Sequence, residues 1–243
     1  MTALRTAAVF AALTLTLAGC VARESASTLP PTDEFLTTQP TATEGDCGFA
    51  ADESGKEPAV GLPADDGPVD ASALALTTSL GVVTVQFDAE KAPCTVESMA
   101  FLADEGYFDG TTCHRLTASQ GLKVLQCGDP EGTGAGGPGY TIPDELPTDL
   151  PEGPASSDGS QSVVYQRGVV AMANAGPNTG GSQFFLVYGD STLPPNYAVF
   201  GTVDAAGLTV LDQIAAAGIT PGQNGPEDGA PATPVKIDTA KVS

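Results

Sequence analysis

Few residues in this chain can do chemistry, so the placement of those that can is informative. The single histidine, His114, is followed directly by an arginine in Cys113-His114-Arg115-Leu116. As a general base, His114 would need a nucleophile and an orienting acid, and nothing local supplies them. It reads as a structural strand residue. Arg115 is the stronger candidate, because lysine and arginine together number only 9 and this one sits among apolar strand positions. A guanidinium is always charged and presents several donors in a rigid fork. A second cluster lies in Met172-Ala173-Asn174-Ala175-Gly176-Pro177-Asn178-Thr179-Gly180-Gly181-Ser182-Gln183-Phe184-Phe185. A plain surface turn needs only a few Gly, Pro, Asn and Ser residues. This one is long and lands on a glutamine beside two aromatics.

Other chemistries are excluded by spacing. Cys47, Cys94, Cys113 and Cys127 are far apart in sequence and only one histidine is available, so a metal site is not expected. The string Gly134-Ala135-Gly136-Gly137-Pro138-Gly139 matches a dinucleotide-binding pattern. Pro138 and Pro143 interrupt it, however, and no helix follows to meet a pyrophosphate. It reads as a mobile loop beside the site.

The elements that must carry these residues are mainly β. Leu74, Leu76 and Thr78 alternate, as do Val83, Val85 and Phe87 after Ser79-Leu80-Gly81, which is a hairpin signal. Pro93 opens a helix with Val96, Met99, Ala100 and Ala103 on one face and Gly106 at its end. Further strands are expected at Cys113–Leu116, Val124–Cys127, Gly168–Ala173, Phe184–Tyr188, Ala198–Val203 and Pro234–Val242, with a second helix over Gly207–Ala217. The acidic, turn-rich Pro143–Gln161 reads as a surface loop. Many short strands with two helices point to a closed antiparallel β-barrel with helices over its open ends.

A net charge of −21 on 243 residues argues against nucleic acid and against electrostatic attachment to an anionic membrane. Residues 1–19 read as an export signal: Arg5, then an apolar run from Ala7 to Leu17 too short to span a bilayer comfortably. Leu17-Ala18-Gly19-Cys20 resembles a bacterial lipoprotein box, implying lipidation of Cys20 and an extracytoplasmic, membrane-anchored protein. Residues 20–72 are rich in Thr, Ser, Pro and Asp and read as a flexible tether, with Cys47-Gly48-Phe49 as a point that could dock. The globular domain is expected over 73–243. Four cysteines in an exported chain suggest two disulfides with three connectivities. Cys94–Cys113 with Cys47–Cys127 is the favoured pairing, the second pinning the N-terminal arm to the domain.

The stretch from Met172 to Phe185 resembles, almost residue for residue, the core motif of the cyclophilin family of peptidyl-prolyl isomerases. Cys113-His114-Arg115-Leu116 resembles that family's Phe-His-Arg segment, and Gln126-Cys127-Gly128-Asp129 its Gln-Gly-Gly-Asp. The likeness covers about Ala73 to the C-terminus. It implies an eight-stranded barrel with two capping helices, acting without a cofactor on Xaa-Pro bonds. It also implies a catalytic role for Arg115, with Gln126 and Asn174 holding the substrate backbone and Gln183 lining the site. Phe185 would floor the proline pocket, Phe184 would face the interior, and Val124 would stand in for the family's methionine. Ala173 would border the neighbouring subsite.

The chain departs from the family at three places. Ten residues separate Arg115 from Gln126, more than the family usually has, so Leu122 is the expected substitute for the pocket phenylalanine and Lys123 its literal alignment. Leu193 stands where many cyclophilins carry a tryptophan that donates to cyclosporin, so weak binding of that drug is expected. Tyr197 replaces a pocket-edge histidine. The expected partners are proline-containing exported polypeptides, acted on by a monomer. The alternative is a peptide-binding or chaperone module that keeps the groove without the catalysis.

Overall fold

Short β-segments with inside–outside alternation make up most of the regular secondary structure among the described residues. The computed structural model describes residues 47–52, 58–64, 70–155 and 159–243. The export signal, Cys20 and the first part of the tether lie outside them. Strand β1 (Ala50–Ala51) precedes the hairpin of β2 (Ala73–Thr78) and β3 (Gly81–Phe87). Leu74, Leu76, Val83 and Val85 are all buried, as the period of two requires. Its tight turn needs Gly81, whose φ is +139°, and is closed by Thr78 Oγ1 donating to the Gly81 carbonyl at 2.6 Å.

Helix α1 (Pro93–Asp104) begins at the proline read from the sequence. Its first free N–H groups, on Cys94 and Thr95, donate to the Glu145 carboxylate at 2.9 and 2.8 Å. An anion is favoured at this end of a helix, so Glu145, two residues after Pro143, acts as its cap. Then follow β4 (Thr112–Cys113), β5 (Arg115–Thr117), β6 (Lys123–Cys127), β7 (Tyr140–Thr141), β8 (Val163–Tyr165), β9 (Val169–Met172) and β10 (Phe184–Gly189). After these come β11 (Ser191–Leu193), β12 (Val199–Val203), α2 (Ala205–Ala217), β13 (Ile219–Gly222), β14 (Gly225–Pro231) and β15 (Val235–Val242). Helix α2 starts before the expected Gly207 because the Asp204 side chain caps it, accepting from Gly207 N at 2.6 Å.

Only His114 separates β4 from β5. Because β4 pairs with β15 and β5 with β6, the two ends of the sheet meet. The ring runs β4/β5, β6, β10, β9, β12, β3, β2 and β15, eight antiparallel positions. The β13–β14 hairpin adds to the outside of β5. Inside the ring, Leu74, Val85, Leu125, Val170, Phe184 and Phe200 form one core with Met99 and Leu102 of α1 and Leu211 and Ile214 of α2. The opposite face carries a second apolar layer of Val124, Val163, Tyr165, Ala171, Phe185, Val187 and Val199. Alternation along β10 sends Phe184 and Leu186 inward and Phe185 and Val187 outward.

Two expectations need correction. The disulfides are Cys47–Cys94 and Cys113–Cys127, not Cys94–Cys113 and Cys47–Cys127. Cys113 and Cys127 both point into the core from adjacent strands, with Cα atoms 4.0 Å apart, so neither is available to another element. The arm is pinned instead to the start of α1. The tether also ends earlier than residue 72. Within residues 47–61, β1 pairs with β7, Ala59 N donates to Pro138 O at 2.8 Å, and the Phe49 ring meets Tyr140 edge-on at 5.9 Å. Cys47 and Phe49 give a polar stretch the apolar anchor it otherwise lacks.

Candidate active site

One row of directly opposed residues crosses five strands on the outer face of the barrel. Arg115 on β5 faces Gln126 on β6, Gln126 faces Phe185 on β10, Phe185 faces Ala171 on β9, and Ala171 faces Val199 on β12. Val124, two residues before Gln126, and Ala173, two after Ala171, belong to the same face by alternation. A guanidinium, an amide and a phenyl ring are therefore neighbours because of the strand register, although they are distant in sequence.

A cavity of about 230 Å³ opens on this row. Its apolar wall is Leu122, Val124, Phe185, Leu193, Tyr197 and Ala173, and its polar wall Arg115, Gln126 and Asn174. Leu122, and not Lys123, lines it, because Leu122 is held at the end of a short turn where its carbonyl accepts from Thr117 Oγ1 at 3.0 Å. Phe185 is almost wholly buried. Its ring packs edge-on against Tyr197 at 5.4 Å and Tyr165 at 6.2 Å. Tyr165, which the sequence reading did not single out, lies behind the cavity with its hydroxyl donating toward Tyr197 O at 3.2 Å. Burial pushes that phenol up to about 12, so it stays a neutral donor. A larger cavity of about 810 Å³ adjoins and shares Gln126, Ala173 and Asn174. Gln183 lies there rather than in the smaller one, as do Ala51 and Asp52 of the N-terminal arm.

The polar wall is a directed hydrogen-bond chain. Arg115 Nη1 donates to Gln126 Oε1 at 3.2 Å, and Gln126 Nε2 donates to Gln183 Oε1 at 2.9 Å. Gln183 Nε2 then donates to the carbonyls of Gly134 and Gly136 at 3.0 and 2.8 Å. Arginine has no acceptor, so it fixes which way both amides point. The chain ends on the glycine-rich loop, which Asp129 organises by accepting from the backbone of Glu131, Thr133, Gly134 and Gly136. Burial alone would raise the Asp129 pKa, but these bonds bring it down to about 2.

Asp228 holds the other side of Arg115, accepting from Nε and Nη2 at 2.8 Å each. That bond is the main reason the carboxyl lies below its ordinary value and the guanidinium above its own. Of the five N–H donors of an arginine, Asp228 and Gln126 take three, leaving one on each Nη. His114 sits beside the glycine loop, and burial lowers its pKa, keeping it neutral. Neither of its ring nitrogens has a hydrogen-bond partner among the described residues. Asn174 Nδ2 donates to Asn196 O at 2.8 Å, which anchors the segment from β9 at the cavity edge.

A closed eight-position barrel with a small apolar cavity and an arginine–amide wall on its outer face defines a class. Residues 73–242 match the family model described as cyclophilin type peptidyl-prolyl cis-trans isomerase/CLD, and the chain belongs to that family. A protein named probable peptidyl-prolyl cis-trans isomerase B from Mycobacterium tuberculosis is 52% identical over 178 residues, 72% of this chain and 55% of that protein. Its namesake in Mycobacterium leprae is 50% identical over 190 residues, 77% of this chain and 61% of that one. The chain therefore spans somewhat more than half the length of these curated relatives. Peptidyl-prolyl cis-trans isomerase-like 1 of Neurospora crassa is 36% identical over 176 residues, 71% of this chain and 94% of that protein. Among solved structures, a cyclophilin-type isomerase from Cryptosporidium parvum in the presence of the dipeptide Ala-Pro has a TM-score of 0.54 and 25% identity. It covers 70% of this chain and 98% of its own.

Proposed function

We propose that this chain is a peptidyl-prolyl cis-trans isomerase that acts on Xaa-Pro bonds of exported polypeptides. The observation that carries the reading is the placement of Arg115 on the wall of a cavity floored by Phe185, with donors left over on both Nη atoms. Rotation about an amide is opposed by resonance worth roughly 18–20 kcal/mol. The uncatalysed reaction takes tens of seconds, so only part of that barrier need be removed. The prolyl ring seats against Phe185, Leu122 and Val124. Gln126 and Asn174 take hydrogen bonds from the flanking backbone. As the bond twists, the prolyl nitrogen becomes pyramidal and basic, and the Arg115 N–H groups bind that state better than the planar one. No bond is broken, and no cofactor is required.

Lipidation at Cys20 would hold the enzyme, as a monomer, on the outer face of the cytoplasmic membrane, where its clients emerge unfolded. Leu193 offers no donor where a tryptophan would, so cyclosporin binds weakly. The rival reading, a binding module without catalysis, draws on the longer connection between Arg115 and Gln126. A protease-coupled assay with an Ala-Pro peptide separates the two. The enzyme reading expects acceleration that Arg115→Ala removes, and the rival expects saturable binding without acceleration.

A further inference from the structure

We propose that Asp228 is a positioning residue for Arg115, fixing the guanidinium edge-on so that its free N–H groups face the cavity. The proposal rests on the assignment of Arg115 to prolyl isomerisation made above. It comes from a hairpin with no strand-like sequence. Strand β14 pairs with β5 on the side away from β6, with Asp228 opposite Thr117 and Gly229 opposite Leu116. Thr117 and Arg115 share a face, being two residues apart on one strand, so Asp228 is the diagonal cross-strand neighbour of Arg115. Its two oxygens take Nε and Nη2 at 2.8 Å each, the parallel fork that matches carboxylate to guanidinium.

The carboxylate is itself held. Asn224 Nδ2, in the hairpin turn, donates to Asp228 Oδ2 at 3.2 Å. The next residue must be glycine, because a Cβ at Gly229 would lie 2.1 Å from Thr220 O and 2.5 Å from Gly222 N. That close approach locks β13 to β14 and so sets where Asp228 stands. Gln126 on β6 grips Nη1, and Asp228 on β14 grips the opposite edge. An arginine held from one side only would keep much of its rotamer freedom and would have to lose it each time the amide twists. A partly exposed ion pair such as this one usually contributes little to stability. The expected effect is therefore on turnover.

The test measures kcat and KM for an Ala-Pro peptide with this chain as wild type, Asp228→Asn, Asp228→Ala, Arg115→Ala and the Arg115→Ala/Asp228→Ala double variant. Asp228→Ala is expected to lower kcat about tenfold with KM within about twofold, and the near-isosteric Asp228→Asn to fall between it and wild type. The double variant should be no slower than Arg115→Ala. In parallel, the Arg115 Nε–H resonance should exchange slowly in wild type and become averaged in Asp228→Ala. Wild-type kcat in both Asp228 variants would overturn the proposal while leaving the role of Arg115 intact. So would faster turnover, which would make Asp228 a restraint on Arg115. An equal loss in the Arg115→Ala background would show that Asp228 acts through the fold. Wild-type activity in Arg115→Ala would overturn both this proposal and the reading beneath it, and a properly folded Asp228→Asn keeps the comparison valid if Asp228→Ala unfolds.

Discussion

Replacing Gln126 by glutamate changes one nitrogen to oxygen, yet it should disturb the whole polar wall. The Arg115 contact survives, since a carboxylate accepts from Nη1 as readily as an amide does. The Gln183 contact does not. Gln126 Nε2 now donates to Gln183 Oε1 at 2.9 Å, and an oxygen there would place two acceptors against each other. Gln183 could turn its amide over, but its oxygen would then face the carbonyls of Gly134 and Gly136, which it now serves at 3.0 and 2.8 Å. One arrangement sets two acceptors face to face, with the bond between them lost. The other exchanges two bonds for one. Leaving a buried polar group unpaired costs about 1–3 kcal/mol, and the partial exposure of this wall points to the lower half, about 1–2 kcal/mol. That corresponds to a fall in Tm of roughly 2–8 °C for a domain of this size. The glycine loop should also exchange its amide hydrogens faster, and kcat/KM should drop about tenfold as a second carboxylate draws the guanidinium away from the cavity. Thermal unfolding, hydrogen exchange at Gly134–Gly137 and the isomerase assay read these separately. A Gln126→Glu protein with wild-type Tm, loop protection and activity would refute the donor directions on which the argument stands.

Mapping without reduction should find Cys47 joined to Cys94 and Cys113 to Cys127. With sequence separations of 47 and 14, loop-closure entropy predicts losses of about 4 and about 3 kcal/mol when each pair is replaced by serine, measured by denaturant unfolding. Asp129 has a folded pKa of about 2 against an ordinary 3.8, so the unfolded chain binds its proton first. Its contribution, about 2 kcal/mol, is complete above about pH 4 and is lost as the pH falls toward about 2; Asp129→Asn should remove that part of the acid transition. Leu193→Trp should tighten cyclosporin binding in a titration, and tight binding by the unsubstituted protein would contradict the role given to Leu193.

Alternation and turn residues made the barrel legible. Leu74, Leu76, Val83 and Val85 announce a half-buried hairpin, and Pro93 with Gly106 brackets α1. Arg115, Gln126, Asn174 and Phe185 were legible as a set only through resemblance, because the register that aligns the first two with Phe185, and the loop that brings Asn174 to the cavity edge, leave no local trace. Asp228 left none at all. It lies 113 residues from Arg115 on a hairpin of Gly, Pro and acidic residues, types that ordinarily mark loops. That hairpin forms because its glycines let two backbones approach, a contact energy and not a propensity. Tyr165 and Glu145 were missed for the same reason, since a capping carboxylate 50 residues from the helix it caps looks like any surface acid. Cysteine spacing could limit the disulfides to three pairings but could not choose among them, because the choice depends on which strands become neighbours.

In the proposed mechanism Arg115 accelerates rotation of a bound Xaa-Pro bond without covalent chemistry. Two-dimensional NMR exchange on an Ala-Pro peptide, at catalytic amounts of protein and with no protease present, measures that rotation directly. Cis–trans exchange peaks are expected with wild type and their loss with Arg115→Ala, while the peptide still shifts resonances of Phe185 and Val124 in both proteins. Equal exchange rates with wild type and Arg115→Ala would contradict that mechanism.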